Sequence, residues 1–140
     1  KLEKKINKVI DEYDKNKGMT IGLSKDLGII THYIADYFTF PHNIEYPGTM
    51  TEHIHYEAQL KVDFREFVQK MKEKHAHFQE VNMRSADEIC AFIKKCHTEY
   101  LHAVKSVEND CRYILQICAQ VVGSILHLLQ QNSMPLGCYM

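Results

Sequence analysis

Apolar residues recur along this chain at intervals of three and four, the spacing that places them on one face of an α-helix. Charged stretches, glycine and proline divide this pattern into separate segments. The segments predict about five helices: over residues 2–13, from 24 to about 40, from about 51 to the Lys-rich stretch 70–74, from 85 to about 101, and over 107–131. We therefore expect an all-α fold, a compact multi-helix bundle in which the wide apolar face of the last helix is largely buried.

Residues that favour helix ends occur near the predicted boundaries. Ser24 can cap the second helix, and Ser85 with Glu88 forms a capping-box pattern at the start of the fourth. Either Thr49 or Thr51 can cap the third helix. Stop signals follow the first two helices, namely Gly18 after the first, and Pro41, Asn43, Pro47 and Gly48 after the second.

A chain of 140 residues is long enough for one hydrophobic core. We predict a single helical domain over residues 1–131 and a tail over 132–140, where Pro135 and Gly137 disfavour further helix. The composition, 45% hydrophobic and 25% charged, is that of a folded protein. The 17 basic and 18 acidic residues nearly balance, so charge gives no footprint for nucleic-acid binding.

The apolar segments also indicate whether the chain spans a membrane and in which cellular compartment it is expected. The most apolar stretch, near residues 113–129, is bounded or broken by polar side chains and falls short of the roughly 20 continuous apolar residues that a bilayer requires. No transmembrane segment is therefore predicted. No secretory signal peptide is visible, so we expect a cytoplasmic protein, or a secreted one if an upstream leader has been removed.

The five cysteines show no CxxC spacing, and their odd number argues against a complete disulfide framework. Reduced thiols that fill the core explain them most simply. Pairing between helices is one alternative. A soft-metal site at Cys96, His97 and His102 is another.

Five candidate metal ligands lie within 26 residues, and they are His32, Asp36, His42, His53 and Glu57. Residues four apart share one face of a helix, so His32 with Asp36, and His53 with Glu57, can each hold an ion through two atoms. Either pair alone is common as an ordinary hydrogen bond. The two pairs with His42 between them favour metal binding. Imidazole and carboxylate ligands without nearby thiolates suit Zn²⁺, with Mn²⁺, Fe²⁺ or Ni²⁺ as alternatives.

The sequence around these ligands resembles the zinc-dependent phospholipase C family, whose relatives include the S1/P1-type nucleases. A helical His-x3-Asp, a second His six residues after the Asp and closely preceded by Pro, and a downstream His-x3-Glu carry the resemblance over about residues 24–60. It implies a helical fold like that of the family. It also implies that His32 and Asp36 bind one zinc, with Asp36 bridging two metals. His42, His53 and Glu57 would bind another zinc that keeps an open position.

Members of that family also take ligands from upstream segments, including an early His and a further Asp and His. No His precedes His32 in this chain. We therefore expect either a carboxyl-terminal portion of a longer protein or a reduced form with fewer metals, with one to three zinc ions in total.

The resemblance implies hydrolysis of a phosphodiester, in a phospholipid or a small phosphoester, by clustered zinc ions that activate water. Asp36 would be the catalytic bridging carboxylate, and Glu45 and Glu52 are candidates for an additional base by proximity in sequence. The alternative is a non-catalytic helical metal-binding or interaction module that keeps its site for stability.

Two groups of apolar residues each have two possible roles. A cluster of aromatic residues near the ligands is predicted to pack in the core, with the lining of a substrate pocket as the alternative. This cluster consists of Tyr33, Tyr37, Phe38 and Phe40. The broad apolar face of residues 107–131 would also suit self-association into a homo-oligomer.

Overall fold

The structure is a computed structural model that describes residues 2–42 and 48–132. Within these residues the regular structure is helical and contains no strand, which confirms the predicted all-α class. The elements are α1 (Leu2–Glu12), α2 (Ile21–Tyr37), a 3₁₀ turn (Phe40–His42), α3 (Met50–Glu73), α4 (Ala86–His102) and α5 (Val107–Asn132). The predicted tail lies almost wholly outside the described residues, so the division into domain and tail stays a prediction.

Helix α5 lies at the centre of the bundle and contacts each of the other four helices. Its buried side chains follow helical spacing, and they include Ile114, Ile117, Val121, Ile125 and Leu128. These residues form one hydrophobic cluster with the inner faces of α1, α2 and α4. Each fully buried aliphatic side chain contributes about 1.5–3 kcal/mol through removal of apolar area from water, so this face of α5 is a large part of what holds the bundle together.

By length and composition, Val107–Gln131 is also apolar enough to cross a membrane, although the sequence pattern predicted no transmembrane segment. Buried helices of compact proteins meet the same criterion. The contacts of α5 with four neighbouring helices are those of such a core helix.

Helix α2 begins earlier than predicted. Its N-cap is Thr20, which has extended backbone and whose Oγ1 accepts a hydrogen bond from the Leu23 N–H at 3.0 Å. The predicted cap, Ser24, was wrong and lies in the first helical turn. Ile21 is 92% exposed and Gly22 adds no apolar side chain, so in the first turn only Leu23 packs against the core, and the apolar pattern did not reveal the true start.

The other helix starts agree more closely with prediction. Ser85 caps α4, and its Oγ accepts from the Glu88 N–H at 3.2 Å. Thr49, rather than Thr51, caps α3 and accepts from the Glu52 N–H at 3.2 Å. These hydrogen bonds satisfy backbone donors that have no partner within the helix.

Aromatic packing fixes the point where the chain leaves α2. Phe38 is fully buried, and its ring stacks on Tyr113 of α5 at 5.8 Å and meets Tyr100 of α4 edge-on at 5.4 Å. Tyr37 stacks on His97 of α4 with ring centroids 3.6 Å apart. The expected core role is thus correct for Phe38, whereas Tyr37 is partly exposed. Because these rings hold the end of α2, they also set the position of the 3₁₀ turn that follows.

The four described cysteines are free thiols, and Cys138 lies outside the described residues. Burial raises the pKa of Cys111 to about 11 and that of Cys118 to about 12. Both thiols are therefore protonated near neutral pH, as expected for inert core residues. The alternative site at Cys96, His97 and His102 does not form a metal-binding group in the part of the chain that the structure describes.

Candidate metal centre

Two of the predicted ligands, His53 and Glu57, lie one turn apart on α3. His53 Nε2 is 3.1 Å from Glu57 Oε1. The helical spacing alone produces this pair, because residues i and i+4 stack along one face. His55, which lies between them in sequence, is exposed on another face of the helix.

A third ligand comes from a different element. His42 ends the 3₁₀ turn (Phe40–His42), and its Nε2 is 2.5 Å from the same Glu57 Oε1. The rings of His42 and His53 meet nearly at right angles, with centroids 5.0 Å apart. One ligand atom from each of the three residues lies within 4.8 Å of the others. We call these three residues the three-ligand group.

The charge of Glu57 suits a metal ligand. Its partial burial opposes the charged form, but hydrogen bonds and favourable charge interactions with His42 and His53 outweigh that effect and lower the pKa of the carboxyl. Glu57 is therefore ionised near neutral pH. A carboxylate and two imidazoles supply the kind of oxygen and nitrogen donors that Zn²⁺ takes.

The spacing of the three-ligand group fits a tetrahedral zinc. With metal–ligand distances of about 2.0–2.2 Å, neighbouring ligand atoms around zinc lie about 3.4 Å apart. The distances from Glu57 Oε1 to His42 Nε2 and His53 Nε2, 2.5 and 3.1 Å, are shorter than this by about 0.9 and 0.3 Å, so the side chains would have to move outward to admit the ion. Three protein ligands leave a fourth position for water or substrate, the arrangement typical of catalytic zinc.

The other predicted pair, His32 and Asp36, remains separate from this group. The two side chains lie one turn apart on α2, with His32 Nε2 3.3 Å from Asp36 Oδ2. No third His, Cys, Asp or Glu among residues 2–42 and 48–132 joins them in a compact ligand set. Their assignment to a second zinc, and the bridging role of Asp36, stay predictions.

A groove of about 510 Å³ brings the two regions to a common surface. Asp36 and His42 both line it, together with Tyr33, Tyr37 and Lys94. Two of the aromatic residues, Tyr33 and Tyr37, thus line a groove, and their role beside a substrate stays a prediction. A second cavity, of about 520 Å³, lies between residues 76–83 and α5 and includes none of the predicted ligands.

Of the two candidates for an additional base, Glu52 is described, and it does not belong to the three-ligand group. Glu52 is exposed in the first turn of α3, where Thr49 Oγ1 lies 3.3 Å from its carboxylate. Glu45 lies outside the described residues.

The sequence patterns missed one residue beneath the three-ligand group. Asp110, in the first turn of α5, is fully buried and accepts hydrogen bonds from Phe40, Tyr56 and Tyr100. Its position, four residues before Ile114, continues the apolar face of α5. A charged residue on an otherwise apolar face was the signal that could have revealed it.

These observations define an all-α protein with an open group of two histidines and one glutamate, located beside a surface groove. The family model described as zinc dependent phospholipase C matches residues 1–107. The chain belongs to the zinc-dependent phospholipase C family, and the match extends well beyond the segment, residues 24–60, in which the motifs first indicated it. No curated protein and no solved structure matches the chain significantly.

Proposed function

We propose that the protein hydrolyses a phosphodiester bond of a phospholipid, with zinc held by His42, His53 and Glu57. One observation supports this assignment above the others: three ligand atoms from two separate elements converge within 4.8 Å of one another. Family membership supports the choice of zinc and of a phospholipid substrate. The proposal places the reaction at the surface groove that both His42 and Asp36 line.

The ligand residues have distinct tasks in this proposal. His42 and His53 would supply nitrogen donors, and ionised Glu57 would supply a negative charge that offsets part of the charge of the ion. A bound zinc would polarise a phosphate oxygen and lower the pKa of a water molecule toward about 7. The remaining open position is what allows substrate to approach.

The groove supports binding of a phosphate ester. Its volume, about 510 Å³, is within the range for small-molecule sites and suits a phosphorylated head group. Lys94 would provide a positive charge for the phosphate, and Tyr33 and Tyr37 would provide apolar surface beside it. We further propose that His32 and Asp36 would hold a second zinc beside this groove, with Asp36 as the catalytic carboxylate.

A non-catalytic metal-binding module is the second candidate. The observation that favours it is the separation of the His32–Asp36 pair from the three-ligand group. In that case a single zinc would tie the 3₁₀ turn to α3 for stability. Removal of the metal would then lower the helix content and the melting temperature, whereas an enzyme with a preformed site would keep its fold.

The test compares two histidines of the same helix. Zinc-loaded wild-type protein and the variants His53→Ala and His55→Ala are incubated with phospholipid vesicles, and release of the phosphorylated head group is measured. We expect His53→Ala to lose activity by at least about 100-fold, since removal of a ligand removes the catalytic ion, with unchanged circular dichroism. His55→Ala is the matched control and should retain activity. Absence of hydrolysis by the zinc-loaded wild type would contradict the proposal.

A further inference from the structure

Asp110 connects elements that are distant in sequence. Its Oδ2 accepts a hydrogen bond from the Phe40 backbone N–H at 2.9 Å and another from the Tyr56 hydroxyl at 2.7 Å. Its Oδ1 accepts from the Tyr100 hydroxyl at 2.6 Å. The carboxylate is 0% exposed. One buried side chain of α5 therefore contacts the 3₁₀ turn, α3 and α4.

Two of these partners lie next to the metal ligands. Phe40 precedes His42 by two residues within the same short turn, and Tyr56 lies between His53 and Glu57 on α3. Because both hydrogen bonds end on one oxygen atom, Oδ2 holds the 3₁₀ turn at a fixed distance from α3. The rings of Phe40 and Tyr56 also meet edge-on at 6.0 Å.

The distance between the 3₁₀ turn and α3 matters because the three ligands are held in different ways. His53 and Glu57 keep their spacing through the helix itself. His42 belongs to the 3₁₀ turn, outside the helix that holds the other two ligands. Through its hydrogen bonds with Phe40 and Tyr56, the side chain of Asp110 joins the 3₁₀ turn to α3. A buried carboxylate with several hydrogen-bond donors is costly to disturb.

We propose that Asp110 is a positioning residue for the metal centre, which holds His42 within reach of His53 and Glu57. The inference rests on the proposed zinc site but not on the proposed hydrolysis. Asp110 also lies beyond the segment matched by the family model, which ends at residue 107. Its role follows from the hydrogen bonds alone.

Two tyrosines allow a matched test. Tyr56→Phe removes the hydroxyl that joins Asp110 to ligand-bearing α3. Tyr100→Phe removes a hydroxyl from the same carboxylate, but on α4, which carries no ligand of the group. Tyr100 is the more buried of the two, so Tyr100→Phe should lower the melting temperature at least as much. The readout is zinc affinity, measured by competition with a chromophoric chelator, together with the melting temperature of the metal-free protein.

We expect Tyr56→Phe to weaken zinc binding by about tenfold, within the range for residues that support metal ligands. Tyr100→Phe should change the affinity less than about threefold, even where it destabilises the fold more. Asp110→Asn, which keeps the size of the side chain, should weaken zinc binding at least as much as Tyr56→Phe. Equal losses in the two tyrosine variants, or no loss in Tyr56→Phe, would overturn the positioning role.

The same measurements separate this inference from the proposed function. Wild-type protein that binds zinc without hydrolysing phospholipid would contradict the hydrolase proposal and leave the role of Asp110 to be decided by the tyrosine variants. Wild-type protein that binds no zinc would overturn both.

Discussion

The three-ligand group and the His32–Asp36 pair look alike in sequence, because each contains a His and a carboxylate four residues apart. In the structure they differ. The pair on α3 receives a third ligand, His42, from a separate element, and its His53 side chain is 23% exposed. The pair on α2 gains no third ligand from the part of the chain that the structure describes, and its His32 side chain is 70% exposed. Helical spacing therefore supplies two ligands, whereas tertiary packing supplies the third.

The comparison is tested most strongly by zinc affinity. Glu57→Ala removes the carboxylate that contacts both histidines. We expect the affinity for the zinc at the three-ligand group to fall by more than about 100-fold, which is more than the loss caused by changing residues that only support the ligands. Asp36→Ala, the matched change on α2, should alter that affinity less than about threefold. Competition titration with a chelator measures both. Similar losses in the two variants would mean that the α2 pair contributes equally to zinc binding at the three-ligand group.

The exposed pair should contribute little to stability. A double-mutant cycle with His32→Ala and Asp36→Ala is expected to give a coupling of about 0.3–0.5 kcal/mol, as for other exposed pairs at this helical spacing. Urea denaturation of the metal-free protein measures the cycle. A coupling several times larger would indicate that the pair is held by contacts beyond its own helix.

The smallest expected effect concerns pH. Hydrogen bonds from His42 and His53 lower the pKa of Glu57 despite its partial burial, so in the metal-free protein the carboxylate stabilises the folded state at pH values above its unfolded pKa. This contribution is lost as the pH falls through the lowered, folded pKa. The melting temperature of wild-type protein should therefore exceed that of Glu57→Gln near neutral pH, and the difference should shrink under acidic conditions. A difference independent of pH would contradict this account.

Local patterns predicted the helices and the two ligand pairs, because both depend on residues a few positions apart. The cap at Thr20 escaped prediction since the exposed Ile21 gives no apolar signal. Asp110 escaped for another reason: an acidic residue in the first turn of a helix is favourable by itself, and its partners Tyr56 and Phe40 lie 54 and 70 residues away. Contacts of that range depend on how the helices pack.

The difference between local and long-range contacts also explains why the metal centre was only partly predictable. The spacing of His53 and Glu57 follows from one helix. The approach of His42 depends on the aromatic packing of Phe38 at the end of α2 and on the hydrogen bonds of Asp110. The spacing of residues along the sequence reveals neither the packing of Phe38 nor the hydrogen bonds of Asp110.

The central claim, a zinc site formed by His42, His53 and Glu57, is tested most directly by the metal-to-protein ratio. Plasma mass spectrometry is applied to protein purified without chelator and dialysed after exposure to zinc, for the wild type and for His53→Ala. We predict at least one zinc per chain in the wild type, with loss of one zinc in His53→Ala, while a second zinc in the wild type would indicate that His32 and Asp36 are also engaged. A ratio near zero in the wild type, or the same ratio in both proteins, would contradict the claim.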